Sequence, residues 1–206
     1  KRQVFVGKQV GASAWPQECI NDLIVAEARK GRNVVRLKSG DPGVFGRAGE
    51  EIAAAERAGV SLEIVPGVTA ACAAGAVAGM SLTQRGVSDT LVLASGTGMD
   101  GAVLPDSVRF TSPGTTTAFY MAIRQSASIQ DALLARGLPP EASFTLAIDA
   151  SKPTERILNG KIRDLEAIVA RAEVQGCAII LVTWAKADAS RPEARRPSGL
   201  TVHSAA

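Results

Sequence analysis

Val34-Val35-Arg36-Leu37-Lys38-Ser39-Gly40-Asp41-Pro42 joins a short β-branched, apolar run to a loop of small and turn-forming residues. Asn33 to Lys38 reads as a strand that runs straight into Ser39-Gly40-Asp41-Pro42-Gly43. Open α/β sheets bind ligands just outside the carboxyl ends of their strands, where loop backbone is exposed. Gly40 permits a close backbone approach there, and Pro42 fixes the turn. On turn chemistry alone, the same residues also suit a plain tight turn with Asp41 capping the next helix.

Working outward, strand and helix patterns alternate, which predicts an α/β fold with a parallel sheet. Val4-Phe5-Val6-Gly7 is a short strand; Pro16 opens a helix whose apolar Ile20, Leu23, Ile24 and Ala28 recur at helical spacing until Gly31. Helices are expected over Arg47 to Ala58 and Thr69 to Gly79, with a strand from Leu62 to Val65 between them. A domain boundary is expected in or just after Ser81-Leu82-Thr83-Gln84-Arg85-Gly86. Beyond it, strands are expected at Thr90 to Ala94, Thr116 to Met121, Phe144 to Ile148 and Ala178 to Thr183, with a short one at Arg156 to Asn159. Helices are expected at Ile129 to Arg136 and Ile162 to Ala172. The domains are thus 1–84 and 85–184, followed by a Pro-, Ser- and Arg-rich stretch, 185–206, that reads as a disordered tail.

Composition narrows the function. The 206 residues are 46% hydrophobic, enough for a sizeable core. No run approaches the roughly 20 apolar residues that span a bilayer, and Lys1-Arg2-Gln3-Val4 lacks a signal-peptide layout, so a soluble, cytoplasmic protein is expected. Cys19, Cys72 and Cys177 are scattered and odd in number, which argues for reduced, mostly buried thiols and against a disulfide framework or zinc knuckle. The single histidine, His203, lies in the tail, so histidine-based triads and metal sites are disfavoured. Part of the net charge of +3 comes from Lys186, Arg191, Arg195 and Arg196, leaving a nearly neutral body unsuited to nucleic acid. Gly96-Thr97-Gly98-Met99-Asp100-Gly101 completes neither a dinucleotide nor a Walker fingerprint, so an NAD-linked dehydrogenase is disfavoured as well.

Val6-Gly7-Lys8, Pro16-Gln17-Glu18, Arg36 to Pro42, Phe45 to Glu51, Val65 to Ala70 and Leu82 to Arg85 occur in one order and at compatible spacing. Together they resemble the uroporphyrinogen-III C-methyltransferases, including the methyltransferase module of sirohaem synthase, over about residues 1 to 184. Phe119-Tyr120-Met121 and Lys152-Pro153 resemble later marks of that tetrapyrrole methylase family. The resemblance implies two α/β domains, each a sheet flanked by helices, with S-adenosylmethionine in the cleft between them, and a homodimer. It implies cofactor contacts at Ser39, Gly40, Asp41, Val44, Thr69, Ala70, Met121 and Ala150. It also makes Lys8 a proton-donating lysine.

The implied reaction is successive methylation of uroporphyrinogen III at carbons 2 and 7, giving precorrin-2 and S-adenosylhomocysteine, with no metal. The product would enter sirohaem or cobalamin biosynthesis. Eight substrate carboxylates call for a few cations, for which Arg47, Arg85 and Lys38 are candidates alongside Lys8. Each also suits an ordinary surface position, and Met121 also suits core packing. A methyltransferase acting on a later corrin precursor, and a non-catalytic protein that binds the cofactor or a tetrapyrrole, stand as alternatives.

Some features depart from the family pattern. The sequence starts inside the family's second strand, so the opening Gly-x-Gly-Pro-Gly-Asp-Pro loop, the first strand and an aspartate proton acceptor are expected to belong to a longer chain. Ser39 stands for a glycine, Gln84 for a histidine and Ala150 for a glycine.

Overall fold

A computed structural model of the chain describes residues 2–7, 15–98 and 106–187. The chain divides into two compact units, Lys1–Val77 and Ala78–Ala206, so the boundary falls ahead of the expected position at residue 84.

The first unit contains three helices, α1 (Gln17–Arg29), α2 (Ala48–Arg57) and α3 (Ala70–Val77). Pro16 precedes α1 with an extended ψ of 142°, Glu18 sits in the first turn and Arg29 in the last, and Gly31 leaves the helix at φ 74°. α1 lies along α2, with Asn21 Nδ2 donating to the Glu50 carbonyl at 3.5 Å and Arg29 Nη2 to the Ala58 carbonyl at 3.2 Å. The three expected strands of this unit, residues 4–7, 33–38 and 62–65, form no ladder among the described residues. Apolar β-branched residues favour a strand, but a strand exists only with a hydrogen-bonded neighbour. The side chains meant for a sheet face are exposed: Val35 at 73%, Leu37 at 81% and Val65 at 71%.

The second unit is built on five strands: β1 (Thr90–Ser95), β2 (Thr115–Tyr120), β3 (Ser143–Ile148), β4 (Arg156–Lys161) and β5 (Ala178–Trp184). Two helices, α4 (Ser126–Ala135) and α5 (Leu165–Arg171), accompany them. The sheet order is β1-β2-β5-β3-β4, and only β1 with β2 is parallel. The expected parallel sheet is therefore a mixed one. The connection from β3 to β4 is short enough for an antiparallel return, and β5 inserts between β2 and β3 against both. Because β5 opposes both neighbours, β1, β2 and β3 point the same way and end on one edge of the sheet.

One sheet face carries Phe119, Phe144, Leu146, Ile148, Ile180 and Val182, clustered with Ile129 and Leu133 of α4 and Leu165 and Val169 of α5. Full burial of each such side chain stabilises by about 1.5–3 kcal/mol. β2 is buried along its whole length despite three threonines. Their hydroxyls are bonded: Thr115 Oγ1 donates to the Ser112 carbonyl at 2.8 Å and Thr116 Oγ1 to Ser88 Oγ at 3.2 Å, while Thr117 pairs with Thr111 at 2.9 Å. Among the described residues no buried side-chain polar atom lacks a partner.

The carboxyl edge of the sheet is tied together by Asp149. Its N–H donates to the Cys177 carbonyl at 2.7 Å. Its Oδ1 accepts from Lys152 Nζ at 2.7 Å and Cys177 N at 3.3 Å, and its Oδ2 from Thr154 Oγ1 at 3.0 Å. A Cβ on Gly176 would stand 2.4 Å from this carboxylate, so a side chain there would push Asp149 out of these bonds.

Two other expectations are corrected. Cys19, Cys72 and Cys177 are free, as expected, but exposed. The expected tail start at 185 is too early: Lys186 N donates to the Val87 carbonyl at 3.0 Å and its ammonium bonds Asp89, while 188–206 lie outside the described residues. Among the described residues, no helix is long and apolar enough to cross a membrane, and no group of three or more His, Cys, Asp or Glu residues could hold a metal ion.

Gly160→Ala would place a Cβ 2.3 Å from Ile168 Cδ1 and 2.7 Å from the Phe144 ring. It should destabilise the protein by about 1–3 kcal/mol in urea unfolding, the usual cost of overpacking. The Asp149–Lys152 bond holds the Asp149 carboxyl below and the Lys152 ammonium above their ordinary pKa values. The contribution from Asp149 is full above the ordinary carboxylate range and is lost as pH falls through its depressed folded value; that from Lys152 is full below the ordinary lysine range and lost as pH rises through its raised value. Asp149→Asn should flatten the acid limb of a stability–pH profile, and Lys152→Met the alkaline limb.

Candidate functional site

The expected cofactor residues of the first unit sit on two loops that one carboxylate clamps together. Asp41 Oδ1 accepts from Gly43 N at 2.8 Å, closing its own turn, and Oδ2 accepts from Gly67 N at 2.9 Å. Val44 N closes the same loop on the Asp41 carbonyl at 3.2 Å. The two backbones nearly touch, since a Cβ on Gly67 would fall 2.3 Å from the Gly40 carbonyl oxygen. Gly40 itself adopts φ 73°, with its open side toward Val68 and Ala70. Ser39 and Gly40 are exposed, while Val44, Thr69 and Ala70 are half-buried. Both oxygens of Asp41 are thus committed to backbone, and any ligand here meets main chain and small side chains.

Downstream of the clamp, Phe45 and Arg47 adopt left-handed backbone at φ 52° and 55°. Left-handed conformation costs a non-glycine residue about 1–2 kcal/mol and persists only where its surroundings impose it. A Cβ on Gly46, between them, would fall 2.5 Å from the Pro42 carbonyl oxygen. Arg47 forms a two-point ion pair with Glu50, Nε to Oε1 at 2.6 Å and Nη2 to Oε2 at 2.7 Å. That pairing draws the Glu50 carboxyl below its ordinary pKa and raises the guanidinium of Arg47. Glu50 was not singled out from the sequence, although its place three residues after an arginine on a helix signals such a pair.

Lys38 lies elsewhere. Its ammonium donates to Glu51 Oε2 at 2.7 Å with only 9% of the side chain exposed. Its charge is committed inside the unit, which weighs against the expected contact with substrate carboxylates. Lys8 lies outside the described residues.

In the second unit, Met121 follows the last residue of β2 at φ 52° and is 53% exposed. Core packing, its alternative role, is thereby excluded. The tight turn there is fixed by Gly96 N donating to the Tyr120 carbonyl at 2.6 Å, with room for no Cβ on Gly96 against Ala122. Ala150 sits on the same sheet edge, two strands away and so about 10 Å across, flanked by left-handed Asp149 (φ 49°) and Ser151 (φ 64°). Arg85 occupies the exposed tip of a turn closed by Gln84 and Ser88, whose N–H groups donate to each other's carbonyls at 2.6 and 2.8 Å. Among the described residues it has no ion-pair partner. The substitutions Gln84 and Ala150 therefore lie on a turn and an edge loop.

Comparison with known proteins gives this geometry a family. Siroheme synthase of Edwardsiella ictaluri is 39% identical over 170 residues, 82% of this chain and 36% of that protein. Siroheme synthase 1 of Aeromonas hydrophila is 35% identical over 178 residues, 86% of this chain and 38% of that protein. The chain thus spans well under half the length of these curated relatives. Among solved structures, uroporphyrin-III C-methyl transferase from Thermus thermophilus, complexed with S-adenyl homocysteine, superposes with a TM-score of 0.70 at 35% identity, covering 81% of this chain and 72% of that one. The cobalamin biosynthetic enzyme cobalt precorrin-4 methyltransferase gives 0.73 at 25% identity, covering 82% and 72%. The family profile of the Tetrapyrrole (Corrin/Porphyrin) Methylases matches residues 2–166, and the chain belongs to that family.

Proposed function

We propose that this chain is the methyl-transfer module of a uroporphyrinogen-III C-methyltransferase. It would use S-adenosylmethionine to methylate carbons 2 and 7 and yield precorrin-2, for sirohaem or cobalamin synthesis. One observation supports this above the rest: of the six left-handed non-glycine residues among those described, five, Phe45, Arg47, Met121, Asp149 and Ser151, lie in or beside positions the family resemblance assigns to the site, and only Glu173 lies apart from them. Strain of this kind gathers at ligand sites, where the geometry is held ready in advance. The Thermus thermophilus relative, complexed with S-adenyl homocysteine, adds support for the cofactor class.

The residues present suit that cofactor. Ser39, Gly40, Thr69 and Ala70 offer small side chains and approachable backbone, Val44 and exposed Met121 offer apolar and polarisable surface, and Ala150 adds little bulk. When bound, the cofactor supplies an already activated methyl group. The protein's share is then to bind and orient, to hold the substrate's carboxylates and to move protons. In this reading Asp41 acts through the two backbones it joins. Arg85, unpaired among the described residues, and Arg47 with its Glu50 partner meet carboxylates, while Lys8 donates a proton. The working form is a cytoplasmic homodimer. A second reading, methylation of a later corrin precursor, draws on the similarity to cobalt precorrin-4 methyltransferase.

The intact protein, incubated with uroporphyrinogen III and methyl-labelled S-adenosylmethionine, should yield a product carrying two labelled methyl groups. Label on a corrin precursor but not on uroporphyrinogen III would favour the second reading, and no transfer at all would sink both. Gly67→Ala should weaken S-adenosylhomocysteine binding at least tenfold in calorimetry, because its Cβ cannot coexist with the Gly40 carbonyl. Lys8→Ala should retain that binding yet lose turnover about 100-fold or more, the scale of one acid–base group; unchanged turnover would remove Lys8 from the mechanism.

A further inference from the structure

Glu51 is the most enclosed carboxylate of the first unit, and the function proposed above gives it nothing to do. It lies in the first turn of α2 and is 6% exposed. Its Oε2 accepts from Lys38 Nζ at 2.7 Å; its Oε1 accepts from Arg36 Nε at 3.2 Å and Gln17 Nε2 at 3.3 Å. One acid therefore meets two cations from an extended segment and an amide from the first turn of α1. Gln17 is itself held, its Nε2 also donating to Asn21 Oδ1 at 2.9 Å.

The two cations are two residues apart, and an extended chain points such residues to the same side. Arg36 and Lys38 thus face α2 with side chains 30% and 9% exposed, while Val35 and Leu37 face away at 73% and 81%. A slip of one residue would turn Leu37 toward Glu51 and leave a buried carboxylate facing an apolar side chain. Residues 33–40 make no main-chain to main-chain hydrogen bond among the described residues. Among the described residues, the bonds from Arg36 and Lys38 to Glu51 tie this segment to α2. Lys38 is followed at once by Ser39, Gly40 and Asp41, the loop clamped to Gly67.

We propose that Glu51 is a positioning residue for the cofactor loop, setting the register of segment 33–38 through Lys38 and Arg36 so that Ser39–Asp41 is presented ready for the cofactor. This rests on the cofactor reading above. It assigns Lys38 to the scaffold of the site. Glu51 and Lys38 act as one unit, so losing either misplaces the loop and losing both costs no more than losing one.

The test uses the intact protein and S-adenosylhomocysteine binding by calorimetry, with thermal unfolding alongside and steady-state kinetics in S-adenosylmethionine. Glu51→Gln and Lys38→Met should each raise the dissociation constant about tenfold, the size of a typical coupling between contacting residues. KM for S-adenosylmethionine should rise to match while kcat is kept. The double variant should bind no more weakly than the weaker single one. Should Glu51→Gln fail to fold, Lys38→Met/Glu51→Met replaces the ion pair with apolar chains of similar length, a change buried pairs often tolerate; raised dissociation constants there support the proposal. Variants that lose thermal stability yet bind with wild-type affinity would overturn it and leave Glu51 a structural residue alone. If the wild-type protein binds no S-adenosylhomocysteine, the cofactor reading itself fails.

Discussion

The bond from Gly67 N to the Asp41 carboxylate is the constraint on which the first unit's candidate site depends. It spans 26 residues of sequence and fixes the spacing between two segments that otherwise share no main-chain hydrogen bond among the described residues. A carboxylate does this well because its two oxygens accept separate donors, and bonds to an ionised acceptor are about twice as strong as neutral ones. Glycine is needed on the other side, since any Cβ at Gly67 collides with the Gly40 carbonyl. Acid and glycine are therefore two halves of one requirement.

The second unit solves the same problem by different means. The carboxyl edge of its sheet is fixed by paired strands with a core of buried aromatic and aliphatic side chains. The local geometry beyond the strand ends is then set by Asp149, again a carboxylate with glycine opposite, here Gly176. A sheet determines where a strand ends but not how the next residues turn. At both Met121 and Asp149 the turn requires left-handed backbone from residues that disfavour it, so the tertiary contacts around them supply the difference.

How much of this is legible in the sequence follows from how local each feature is. Helices α1, α2 and α3 and all five strands announce themselves through periodicity and β-branched runs, with ends displaced by at most two residues. Strand direction is not local: nothing in Ala178–Trp184 states that it enters between β2 and β3, and an alternating pattern of strands and helices misleads toward a parallel sheet. Likewise Val35 and Leu37 carry a strand's composition, but pairing depends on a partner segment and not on the run itself. The cysteines are misjudged for a related reason: a small apolar side chain says which environments it tolerates, and the helix face or loop on which it lands decides its exposure.

The site residues divide along the same line. Gly40, Gly67 and Pro42 are readable, because backbone chemistry is written in the residue type. The role of a charged side chain is not, since its meaning is its partner. Lys38 and Arg47 look alike in the sequence as cations flanking the Ser39–Val44 loop, yet one is enclosed against Glu51 and the other lies at the surface beside Glu50. The difference traces to helix phase: Glu50 and Glu51 are adjacent, so about 100° of rotation separates them, and α2 turns one outward and the other in. A pair of adjacent glutamates at the start of an amphipathic helix thus serves two tasks at once. One neutralises and orients an exposed arginine, and the other holds an enclosed lysine to the scaffold; the rotation of α2, set by burial of Ala48 and Ala55, decides which does which.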